Sequence, residues 1–140
     1  MISINSALLG IDYGTKRIGI ATCPPGSSLA FPHTVIKNDN QAISKIVTLI
    51  ENFCPQVVVI GKSVNLIGKN NELQKEIMIF LKKLKYELGN TEVKFEFEPE
   101  HYTSFQAERY QGKHPAVDAS AASIILQAWI DRCEKINNEE

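Results

Sequence analysis

The sequence predicts an α/β fold, a five-stranded mixed sheet with helices on both faces. Three observations carry that prediction. Near the N-terminus, Leu8-Leu9-Gly10-Ile11 and Ile18-Gly19-Ile20-Ala21 flank a polar turn holding Gly14, Thr15, Lys16 and Arg17, the pattern of a β-hairpin. Further on, Val57-Val58-Val59-Ile60-Gly61 is a continuous β-branched run, as expected of a central parallel strand covered on both faces. From there helical and strand periodicities alternate. Early hairpins followed by such alternation call for a sheet of mixed direction.

The elements follow in order. Cys23-Pro24-Pro25-Gly26-Ser27-Ser28 reads as a loop, and residues 30–36 as a third strand that Pro32 confines to an edge. Asn38-Asp39-Asn40 offers helix N-caps. Ile43, Ile46, Val47, Ile50 and Phe53 recur at helical spacing, and Pro55 stops that helix just past Cys54. A polar loop over residues 62–71 follows the central strand. Leu73, Ile77, Phe80, Leu81, Leu84 and Leu88 mark a second amphipathic helix, closed by Gly89. Its outer face sets Lys75, Lys82, Lys83 and Lys85 against Glu72, Glu76 and Glu87, the composition of a solvated face.

Val93, Phe95 and Phe97 alternate with Lys94, Glu96 and Glu98, a strand with one apolar and one polar face that Pro99 ends. Residues 100–109 open a short helix with Thr103 or Ser104 as cap, and residues 111–115 form a loop. Val117, Ala121, Ile124, Ile125, Ala128 and Trp129 define a last helix over 117–132, apolar enough to pack tightly on a sheet. The order is β-β-β-α-β-α-β-(short α)-α. It makes one domain over residues 1–136, with a polar tail at 137–140.

Composition narrows the function. A chain of 140 residues fits one domain with a real core, and 44% hydrophobic with 22% charged residues is that of a soluble globular protein. A formal net charge of -1 argues against a uniformly basic nucleic-acid binder while allowing a local basic face. Cys23, Cys54 and Cys133 are odd in number, widely spaced and free of any Cys/His ligand spacing. They read as reduced thiols, which excludes a disulfide framework and a zinc site. No apolar run approaches the roughly 20 residues that span a bilayer, and residues 1–6 lack a signal-peptide pattern. The expected location is the cytoplasm, as a monomer or homodimer, with no membrane partner.

Three carboxylates stand at element ends: Asp12 after the first strand, Glu100 past the fifth, and Asp118 at the start of the last helix. Each has a plain structural explanation as turn cap, loop acid or helix N-cap. A charged group at the edge of a hydrophobic strand must nevertheless be compensated by a cation, metal or donor. The small residues after Asp118 (Ala119, Ser120, Ala121, Ala122) would let the last helix approach the sheet and bring its first turn near Asp12. Three converging carboxylates without a Cys/His cluster suit a hard cation such as Mg²⁺ or Mn²⁺. Such ions, often paired roughly 4 Å apart, serve phosphodiester hydrolysis. Thr15, Lys16 and Arg17 follow Asp12 directly, as an anionic backbone would require, and Lys62, Asn65 and Lys69 lie where open α/β sheets place ligands.

Residues 9–21, Leu-Gly-Ile-Asp-Tyr-Gly-Thr-Lys-Arg-Ile-Gly-Ile-Ala, strongly resemble the opening motif of the YqgF-type (RuvX) proteins. These are Holliday-junction-resolvase-like nucleases assigned to maturation of the 5′ end of pre-16S ribosomal RNA. The resemblance covers nearly the whole chain. Val57–Gly61 with Asn65 and Gly68 resembles the family's central strand and loop, Glu100 with Thr103, Ser104 and Ala107 its acidic segment, and residues 117–127 its terminal helix. It implies an RNase H-like fold, an acidic metal-binding triad of Asp12, Glu100 and Asp118, and RNA as partner. The chain departs from the pattern at Pro99-Glu100-His101, where the family usually has Asp-Glu-Arg. It departs again at Lys62-Ser63, Ile67 and Ala116. Glu98 is the acid nearest to replacing the lost one.

The resulting expectation is a metal-dependent nuclease on structured RNA. A catalytically impaired RNA- or ribosome-associated protein on the same scaffold, and a DNA junction resolvase, are the alternatives. Asp-x-Gly-Thr after a first strand also resembles the phosphate loop of actin-like ATPases, which need two such domains where this chain supplies one.

Overall fold

The computed structural model describes residues 6–62, 72–99 and 115–138, and within the last segment the side chains of 120–135. Five strands form one sheet: β1 (Leu8–Tyr13), β2 (Arg17–Cys23), β3 (Phe31–Lys37), β4 (Val57–Lys62) and β5 (Lys94–Pro99). Their spatial order is β3-β2-β1-β4-β5. The three N-terminal strands pair antiparallel, whereas β4 pairs parallel with β1 and β5 parallel with β4. The β-branched strand is thus central, as its continuous apolar run requires. Pro32 lies in the edge strand beside a register shift at Ile20/Ala21, where a missing amide donor costs least.

Alternation along β1 and β4 divides the core in two. Leu9, Ile11, Val58 and Ile60 face α1 (Ala42–Phe53) and α2 (Glu72–Leu88), packing on Ile46, Ile50, Ile77 and Leu84. Leu8, Val57 and Val59 face α3 (Pro115–Asn138), packing on Ala122, Leu126 and Trp129. Helices therefore cover both faces.

Element ends differ from the sequence-based expectation in instructive ways. Asp12 is not the strand's end; Tyr13 follows it in β1, and Asp12 pairs with Gly19. Helix α1 starts behind Gln41 without a side-chain cap, while Asp39 Oδ1 accepts the Gln41 amide at 2.9 Å. Asp39 shapes the turn into the helix instead of capping it. At the other end Cys54 takes the left-handed conformation (φ 47°), its amide bonded to Ile50 O at 2.9 Å. Gly89 closes α2 as expected, at φ 67°. Helix α3 begins two residues before the expected 117 and continues through the expected tail to Asn138. Of the loop expected over 62–71, Lys62 belongs to β4 and the rest lies outside the described residues, as does the expected short helix over 100–109.

The cysteines fit the reading of free thiols. Cys23 is buried, its thiol donating to Ser27 O at 3.1 Å, and desolvation pushes that thiol above the ordinary range. Burial likewise raises Cys133, whereas Cys54 is exposed. With a thiol reagent at pH 8, Cys54 is expected to react within minutes and Cys23 only as the fold opens. Equal rates for the two, read by mass spectrometry, would contradict this packing.

Candidate functional site

The period of two along β1 puts Leu8, Gly10 and Asp12 on the sheet face that α3 covers. Leu8 packs with α3 residues, which confirms the parity. Gly10 is where the helix comes closest. A Cβ there would stand 2.8 Å from Leu126 Cβ and 3.1 Å from the Ala122 carbonyl oxygen. Only glycine on the strand and small residues on the helix permit that approach.

The direction of α3 follows from its contacts. Ala122 and Leu126 lie over Gly10, while Gln127 accepts from the Ala30 amide at 2.8 Å and donates to Ser28 O at 3.0 Å. Thr22 pairs with Phe31 and Leu8 with Cys23, so Ala30 sits beside the beginning of β1. Helix α3 therefore runs against β1, and its N-terminal turns approach the strand's far end. Position 118 stands four residues before Ala122, about 6 Å along the helix, and Asp12 stands two residues beyond Gly10, about 6.6 Å along the strand. The backbone positions of Asp12 and Asp118 thus converge at one end of the sheet. The side chain of Asp118 lies outside the described residues, as do Glu100, Asn65, Thr103 and Ser104.

Asp12 has a second acid level with it. Ile11, Ile60 and Phe97 form one row across β1, β4 and β5. One residue further come Asp12, Gly61 and Glu98, on the α3 face, about 10 Å separating the outer two strands. Gly61 places no side chain between them. Glu98 was expected on the strand's polar face, and at only 6% exposed that face is buried at this point. Its Oε1 lies 2.7 Å from Arg132 Nη2 of α3, in contact by charge but not aligned as a hydrogen bond. The strand's polar stripe is buried here because α3 lies over it, which alternation alone does not reveal. Arg132→Ala would leave that carboxylate buried without its counter-charge. About 1–2 kcal/mol of stability is expected to go, the half-exposed guanidinium limiting the loss, as read by urea unfolding. Unchanged stability would mean that the pair is idle.

Beyond Asp12 the hairpin turn runs through Gly14, Thr15 and Lys16 to Arg17, the first residue of β2. The turn is tight: a Cβ on Gly14 would meet the Arg17 carbonyl oxygen at 2.5 Å. Thr15 and Lys16 are exposed and Arg17 half-buried, so the turn presents a hydroxyl and cations near Asp12. Among the described residues no group of three His, Cys, Asp or Glu side chains makes a metal site. What the described part does offer is a single carboxylate, Asp12, on a paired strand, with the backbone of the helix start near it; oxygen donors of this kind suit a hard cation.

Comparisons with known proteins give the family and the fold. A family model described as "RuvX: Holliday junction resolvase" matches residues 6–132. The chain belongs to the RuvX family. Among RuvX relatives, a protein of Sulfurihydrogenibium sp. (strain YO3AOP1) named "Putative pre-16S rRNA nuclease" is 33% identical over 133 residues, covering 91% of each chain. A protein of the same name from Pseudomonas syringae pv. tomato is 30% identical over 142 residues, with 94% of this chain and 95% of the relative covered. Solved structures extend the likeness at the level of fold. Thermus thermophilus RuvC superposes with a TM-score of 0.58 at 13% identity, over 92% of this chain and 96% of that one. Fowlpox virus resolvase, solved with Holliday junction DNA, gives 0.51 at 13% identity, over 91% and 98%. The RuvX fold seen here is accordingly RNase H-like.

Two features of the region around Asp12 were not legible in the sequence. Arg132 carries no signal of its own in the sequence; the fold sets it against Glu98. Asn38 reads as a helix cap, whereas it bonds the hairpin turn: its Nδ2 donates to Gly14 O at 2.8 Å and its backbone amide to Lys16 O at 2.9 Å. No local signal marks either, since both depend on partners at least 22 residues away in sequence.

Proposed function

We propose that this protein is a metal-dependent endonuclease acting on structured RNA, with the 5′ end of pre-16S ribosomal RNA as substrate. The carrying observation is the convergence of Asp12, held in strand β1, with the start of α3 through the close contact at Gly10. Family membership and the names of its relatives support the substrate class.

In this reading Asp12, Glu100 and Asp118 hold Mg²⁺ or Mn²⁺. The ion when bound activates water and stabilises the departing oxygen. The chain's own residues bind and aim the substrate. Thr15, Lys16 and Arg17 take phosphate oxygens by amide, hydroxyl and cationic donors, and Asn65, Thr103 and Ser104 contact the same backbone. The backbone at Asp12 is held by pairing with Gly19, in a strand that β4 flanks on its other side, which limits reorganisation at the moment of reaction. A water oxygen bonds to phosphorus as one P–O ester bond breaks, and the leaving oxygen takes up a proton. The test is cleavage of a labelled pre-rRNA fragment with Mg²⁺ and with Mn²⁺; product at the 5′ processing position is expected.

A second reading rests on a specific observation. Pro99-Glu100-His101 stands where the family usually has Asp-Glu-Arg, and Glu98, the nearest substitute acid, is already charge-paired with Arg132. RNA bound without cleavage across both metals would favour a non-catalytic ribosome-associated protein. Faster cutting of a four-way DNA junction than of RNA stems would instead point to junction resolution.

A further inference from the structure

The groups that hold the hairpin turn lead beyond the acidic residues. The carbonyls of both Gly14 and Lys16 are taken by a single residue, Asn38, just past the end of β3. A trans peptide directs its C=O and N–H oppositely. Capture of the Gly14 carbonyl at 2.8 Å therefore turns the Thr15 amide away from Asn38, out of the turn. Among the described residues that amide has no acceptor, and Thr15 is exposed. A tight turn with no room for a side chain at Gly14 would still flex about Thr15 and Lys16 if nothing held its carbonyls. Asn38 is half-buried and makes both bonds at good length, so it holds the turn rigidly.

We propose that Asn38 is a positioning residue for substrate binding: by fixing the Gly14 and Lys16 carbonyls it presents the Thr15 amide to a phosphate oxygen of the nucleic-acid backbone. This rests on the reading of the turn as a phosphate cradle. An amide pre-aimed at an anion costs no ordering when the ligand arrives, whereas a free turn must be ordered on binding. Asn38 acts through the turn and touches no reacting atom.

Two variants test it. Asn38→Asp keeps the shape but cannot donate from its side chain; Asn38→Ala removes the donor without adding charge. For both, the Kd for a labelled RNA stem-loop, measured by anisotropy, and the KM for its cleavage are expected to rise about tenfold, with kcat changed less than about twofold. Thr15 amide exchange, followed by NMR in the absence of RNA, is expected to speed up about tenfold while the core amides stay protected. A structural role alone would not separate KM from kcat in this way. Unchanged Kd and KM in both variants, or a loss confined to kcat, overturns the proposal. A parent that neither binds nor cuts RNA, while the variants still loosen Thr15, overturns the nuclease reading and this proposal with it. A parent that cuts beside indifferent variants overturns only the role of Asn38.

Discussion

Asp12→Asn is expected to lower kcat/KM for RNA cleavage on the order of a thousandfold, about 4 kcal/mol of transition-state stabilisation. The substitution preserves shape and removes the charge. Asp12 lies in β1, paired with Gly19 on one side, and its strand pairs with β4 on the other. The backbone that positions it is thus held independently of the side chain. The variant is expected to keep its circular-dichroism spectrum, and its RNA affinity is expected to change less than about threefold, because in the proposed mode the phosphate contacts come from the turn. A carboxylate that gathers a divalent ion is worth this much because the neutral amide is a far poorer ligand for a hard cation. Cleavage by the variant at the parent's rate would remove Asp12 from the mechanism and return it to a structural role.

Gly10→Ala is expected to cost about 3 kcal/mol and to lower Tm by roughly 10 °C, with Gly10→Val worse. The new Cβ would stand 2.8 Å from Leu126 Cβ and 3.1 Å from Ala122 O, neither of which a rotamer change can move. Ordinary carbon contact needs about 3.5–4.0 Å, so α3 must retreat by roughly 1 Å along its tightest seam. That retreat loosens Ala122, Leu126 and Trp129 together and shifts the helix start that carries Asp118. Activity is therefore expected to fall further than stability alone explains, even well below Tm. Gly26→Ala is the control. It stands at φ 81° with nothing within 4 Å, so only backbone strain of about 1 kcal/mol is incurred and activity is retained. If Gly10→Ala melts like the parent, the close helix–strand contact is not what holds the site.

The fold was largely legible because its signals are local. The β-branched run at Val57–Ile60 marks a strand buried on both faces, and the 3.6-residue spacing of Leu73, Ile77, Phe80 and Leu84 marks one helical stripe. Each depends only on neighbours within two turns or one strand. Of the candidate site, the sequence marks Asp12 by its charge in an apolar strand, and the small residues of α3 by the close packing they permit. Misreadings fell where a distant element changes the meaning of a residue. Glu98 follows a clean apolar–polar alternation, yet α3 buries it against Arg132. Asn38 looks like a cap, yet the hairpin claims it.

The sequence by itself determined the order of the described strands and helices, the alternation that sorts Leu9 and Ile11 from Leu8 and Gly10, and the charge at Asp12. These are written in residues whose preferences act over a few positions. Only the tertiary structure decided that α3 runs against β1, that Gly10 is the point of closest approach, that Glu98 is buried, and that Asn38 braces the turn. Each of those joins segments far apart in the chain. Such contacts are chosen by how whole faces pack at near-crystalline density, a property of the assembled core that no window of sequence contains.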